Sequence, residues 1–178
     1  MKYLFSLLFL LPGMIQGQQK NEELIPWNEN RKLVWADYKA KPNPNSDAAA
    51  STTTYLGIEY SIRNNNFGYK ITCSFSKNRS WGLHQNDHIL GHEQGHFDIA
   101  EIFTRKFYKT VKEYRFNESS YKTDLRDIYT SAMQEKEKVQ QQYDSESDFS
   151  RDKPRQEEWL KKIKKMLEET KEYAGYSS

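Results

Sequence analysis

The sequence predicts an α+β fold in which an N-terminal antiparallel sheet packs on a long helix carrying His92-Glu93-Gln94-Gly95-His96, with further helices C-terminal to it. Two observations predict this. Residues 31–80 are rich in Thr, Tyr, Ile and Phe in short runs broken by Pro, Gly and Asn, the composition of strands and turns. From Asn86 onward the period changes, and Leu90, Phe97, Ala100, Phe103, Phe107 and Val111 recur every three or four residues, as one buried helix face requires. A third observation bounds the answer: 178 residues suit one domain with a real core. Hydrophobic residues make up only 36% of the chain, but an aromatic share of 14% can fill that core.

Taken in chain order, Met1-Lys2 followed by the apolar run Tyr3 to Ile15 and then Gln16-Gly17 has the layout of a signal peptide, residues 1–17. The run is shorter than the roughly 20 residues of a spanning helix. Export to the periplasm or the exterior is the expectation, with no stable membrane insertion after cleavage. Residues 18–30 read as a polar lead-in, and a single domain is expected over residues 31–175. Leu33-Val34-Trp35 is a short apolar run in the strand region, and Lys41-Pro42-Asn43-Pro44 is a loop, because proline denies ladder bonds. Ser51 to Ile62 and Tyr69 to Ser76 form a hairpin about a turn at Asn64–Gly68. Helices are expected over about 87–115, capped by Asn86 or Asp87, over 122–144, and over 154–173, where Pro154 suits the first turn.

Cys73 is the lone cysteine, which excludes an intramolecular disulfide. The formal net charge of +2 gives no reason to expect nucleic acid as a partner.

All four histidines, His84, His88, His92 and His96, lie four residues apart. On a helix, four residues place His92 and His96 about 40° apart and one turn along the same face, where two imidazoles can share one Zn2+. Glu93 lies about 60° round from His96. From there it can take a proton from an activated water as general base and return it to a leaving amine, the chemistry of a zinc-dependent peptidase acting on a peptide or protein substrate. Zinc needs a third protein ligand. Asp98 and Glu101 point away on the helical wheel, and His88 is about 12 Å from His96 along the axis. A second helix returning antiparallel brings its C-terminal end back to the first, so Asp144 and Glu146 are both open as the third ligand. Tyr143 fits either oxyanion stabilisation or packing, and His88 either a supporting or a solvent-facing role. Tyr69 to Ser80 is the candidate edge for binding an extended peptide.

Leu33-Val34-Trp35-Ala36-Asp37-Tyr38, Pro42, Ser46, Ala48 to Thr54 and the block Leu90 to Glu101 together resemble a bacterial family of predicted secreted zinc-dependent proteases, the domain of unknown function 922. The likeness spans about residues 31–165 and implies a zincin-like fold, bound zinc and peptidase activity. The family's second helix ends in a Tyr-Asp-x-x-Thr-x-His-Gly pattern. Tyr143 and Asp144 match it, Ser147 stands at the threonine, and Phe149 and Ser150 replace His and Gly. Asp144 is then the expected third ligand, since a carboxylate completes a His-His-acid set. The rival expectation is a non-catalytic exported module that uses the same groove to hold a peptide or protein.

Overall fold

The computed structural model describes residues 22–43, 45–63 and 66–177. The predicted signal peptide and its cleavage point lie outside the described residues. The fold is α+β. Strands β1 (Leu24–Pro26), β2 (Ala50–Ser51), β3 (Thr54–Arg63), β4 (Asn66–Ser76) and β5 (Trp81–Gly82) precede helices α1 (Asp87–Glu113), α2 (Tyr121–Glu146) and α3 (Lys153–Glu169). The strands form two antiparallel sheets, one ordered β1-β4-β3 and one pairing β2 with β5.

In the β3–β4 hairpin the side chains alternate, and Leu56, Ile58 and Tyr60 are buried while Glu59 is exposed. Leu56 pairs with Cys73 and Ile58 with Ile71, so one face of the hairpin lies on Phe107 and Val111 of α1. The opposite side of α1 presents Ile99, Ile102 and Phe103 to Tyr143, Trp159 and Ile163 of the other two helices. Helix α1 is therefore covered on two faces, by sheet and by helices. Its start is fixed by Asn86, whose side chain accepts the Ile89 amide, and α3 begins in the same way with Asp152 accepting the Arg155 amide.

Four sequence expectations change. Part of the polar lead-in packs on the sheet: β1 pairs with Ser74–Ser76 of β4, Ile25 is buried, and Trp27 Nε1 donates to Asp98 Oδ1 at 2.8 Å. A single buried isoleucine between an exposed leucine and a proline is too short a signal to read as a strand. That pairing also narrows the edge assignment of Tyr69 to Ser80, because β1 covers Ser74–Ser76 and makes β4 the middle strand of its sheet there. Trp35–Asp37 is a turn of 3-10 helix rather than strand, closed where Asp37 accepts the Val34 amide at 3.0 Å. Finally β4 starts at Asn66, so Phe67 and Gly68 are paired rather than in the turn; Phe67 packs on Tyr60, Tyr69 and Phe116. The third helix ends at Glu169 and continues as 3-10 helix over Lys171–Ser177.

Candidate metal centre

Each residue of the His92–His96 block has a separate position. Gln94 turns toward the N-terminal segment, accepting the Leu33 amide and donating to Asp98 Oδ1, both at 2.8 Å. Gly95 lies against Tyr143, so close that a Cβ there would stand 2.7 Å from its hydroxyl oxygen. His92, Glu93 and His96 face a cleft of about 480 Å³ between α1, α2 and the extended stretch Ala48–Thr54.

Tyr143 sets the approach of the two helices. It is fully buried, stacks on the His92 ring at 4.4 Å between centroids, and reaches the His92 carbonyl with its hydroxyl at 3.3 Å. The next residue, Asp144, is thereby held over the histidines. Its Oδ1 lies 3.0 Å from His92 Nε2 and 3.0 Å from His96 Nε2, and the two nitrogens are 3.2 Å apart. Ligands about 2.0–2.1 Å from a tetrahedral zinc stand roughly 3.3–3.4 Å from one another, so this nearly equilateral triangle has the spacing of three corners of such a site. Among the described residues it is the one group of three potential ligands gathered this closely.

The surroundings fit the same use. His96 Nδ1–H donates to the Gln140 side-chain oxygen, while the Gln140 amide donates to the His96 carbonyl at 3.0 Å. In the neutral ring this fixes the tautomer that leaves the Nε2 lone pair facing Asp144. Glu93 is buried, and its Oε2 has no hydrogen-bond partner among the described residues. Such an atom wants a water or a substrate proton beside it. Burial pushes the Asp144 carboxyl up, but hydrogen bonds from His92 and His96 outweigh it and hold the group well below the usual carboxylate range. Burial likewise opposes protonation of His96, yet the Asp144 hydrogen bond, the Glu93 and Asp144 charges and Gln140 raise it to about 9.

The other candidates lie elsewhere. Glu146 accepts from Trp159 Nε1 at 2.8 Å and from Gln142 at 2.6 Å, outside the cleft. Asp98 is held by Trp27 and Gln94. Glu101 pairs with Arg105 at 2.7 Å inside the core. His88 Nε2 meets the Ser150 carbonyl at 2.6 Å, and its own carbonyl accepts from Gln156, so it pins the turn after α2. His84 is exposed. Tyr143 is a packing residue, because full burial leaves no room for an oxyanion at its hydroxyl. Gln140 was missed by sequence reasoning; the four-residue step from Gln140 to Asp144, which places both on one face of α2, is the signal that finds it.

The turn after α2 forms the cleft rim. Phe149, 54% exposed, and Ser150 line the cleft, and Asp148, Phe149 and Ser150 have φ of 48°, 52° and 72°. The left-handed region costs an L-residue roughly 1–2 kcal/mol. Ser150 stands where the resembled pattern has glycine, and His88 bonds only its backbone carbonyl. Ser150→Gly is expected to raise stability by about 0.5–1 kcal/mol, read as a higher urea midpoint; a lower midpoint would show that the serine side chain holds the turn.

A family model described as "Bacterial protein of unknown function (DUF922)" matches residues 30–150. The chain belongs to this family. The matched span runs from just before Arg31 to the turn at Ser150 and takes in the whole of the His92–His96–Asp144 site. No curated protein and no solved structure matches the chain. Among the described residues, no helix is long and apolar enough to cross a membrane.

Proposed function

We propose that this DUF922 protein is an exported, zincin-like zinc peptidase in which His92, His96 and Asp144 hold Zn2+ and Glu93 is the general base. The observation that carries this reading is the convergence of two imidazole nitrogens and one carboxylate oxygen, each within 3.2 Å of the others, beside a buried glutamate with an unpaired oxygen. Bound zinc would supply Lewis acidity at the reacting centre. Glu93 would take a proton from the attacking water as the water oxygen bonds to the amide carbon, and would pass it to the nitrogen as the C–N bond breaks. The products are a carboxylic acid and an amine. Asp144 supplies the third donor and a compensating negative charge, Gln140 holds the His96 ring in its tautomer, and Tyr143 keeps α2 close enough for Asp144 to reach both histidines. The wall Ala48–Thr54, of small and hydroxyl-bearing residues, leaves room for an extended peptide.

Metal analysis of the purified chain supplied with zinc tests the reading. About one zinc per chain is expected, lost in both His92→Ala and Asp144→Ala. A chain that takes up no zinc, or an Asp144→Ala variant that retains it fully, would overturn the proposed ligand set.

A further inference from the structure

Lys136 is the cation of this cleft, and nothing in the metal set uses it. It lies on α2 eight residues before Asp144 and four before Gln140, so the three share one helix face. The residue is only 6% exposed and lines the cleft, yet its ammonium has no hydrogen bond or ion pair among the described residues. Burial pulls its pKa down, against smaller upward pulls from Cys73 and Glu137. A largely buried cation without a partner is costly, and a ligand of opposite charge offsets that cost. The facing wall offers the hydroxyls of Ser51 and Thr54, uncharged donors suited to an anion, while those of Thr52 and Thr53 are engaged with Tyr38 and the Arg79 carbonyl. Glu93, Glu137 and Asp144 also line the cleft, so a dianion such as phosphate meets about twice the repulsion that a singly charged carboxylate does.

We propose that Lys136 is a substrate-binding residue that pairs with a carboxylate of the peptide, an acidic side chain or a free C-terminus, and so makes the site selective for acidic peptides. The inference rests on the peptidase reading for the position of the scissile bond. Eight helical residues span about 12 Å. At about 3.3 Å per residue of extended peptide, the carboxylate falls three or four residues from that bond.

The test uses alanine-based octapeptides carrying one glutamate at successive positions, a matching glutamine set, and each with free and amidated C-termini. Binding is measured by calorimetry on the zinc-supplied Glu93→Gln chain and cleavage on the unaltered chain. A carboxylate–ammonium hydrogen bond predicts roughly a ten- to hundredfold preference for glutamate at one position, or for the free C-terminus. That preference should collapse in Lys136→Met and survive in part in Lys136→Arg. Lys136→Met should keep its zinc and unfold at the same or a higher temperature, since a buried unpaired charge has been removed. Cleavage without acidic preference would overturn the role of Lys136 and leave the peptidase intact. Lys136-dependent binding of acidic peptides without any cleavage would uphold carboxylate recognition and overturn the peptidase. Neither binding nor cleavage would overturn both.

Discussion

Glu93→Gln is expected to lower peptide hydrolysis by about a hundred- to ten-thousandfold while zinc stays bound at its original level. Glutamine has nearly the same size and shape, and the proposed ligand atoms belong to His92, His96 and Asp144, so neither packing nor metal affinity should change much. What disappears is the group proposed to carry a proton from water to the leaving nitrogen. The variant therefore separates the two sequence-level readings of this fold. Steady-state turnover beside metal content checks it. A Glu93→Gln chain with undiminished turnover would remove Glu93 from the reaction, and one that keeps its full effect in the cell would favour the non-catalytic binding module.

Gly95→Ala is expected to destabilise the protein by about 1–3 kcal/mol and to weaken zinc retention. In an ordinary helix interior this substitution is favourable by about 1 kcal/mol. Here the new methyl would stand 2.7 Å from the Tyr143 hydroxyl oxygen and 2.9 and 3.0 Å from its ring carbons. Tyr143 has no room to retreat, being stacked on His92 and packed against Trp159 at 5.4 Å. The helices must separate, and Asp144, the neighbour of Tyr143, moves away from the histidines with them. Gly91→Ala on the same helix is the control, because its Cβ would meet only the Gln156 amide nitrogen at 3.9 Å and the helix propensity gain should stand. Urea midpoints and zinc content of the two variants decide the matter; equal stabilisation in both would refute the close approach at Gly95.

Much of this is legible in the amino-acid sequence. The hairpin and three helices follow from periodicity, which burial of one face imposes directly on sequence. His92, Glu93 and His96 are legible because four residues on a helix fix their relation whatever else the chain does. That β4 is a middle strand over Ser74–Ser76 is not legible, since strand order depends on β1, a three-residue strand whose pairing with β4 has no local signature. Gln140 and Lys136 read as ordinary polar helix positions among many, and only the cleft distinguishes them.

The sequence alone therefore determined the hairpin, the three helices and the two proposed ligands that share one turn of helix, because these depend on interactions between residues close along the chain. Tertiary structure alone decided that Asp144 rather than Glu146 reaches the histidines, and that Ala48–Thr54 and Lys136 line the same cleft. These contacts join residues some fifty or more positions apart, or facing elements, and their distances follow from how closely Gly95 lets Tyr143 bring α2 onto α1, a packing distance that no pattern along the chain encodes.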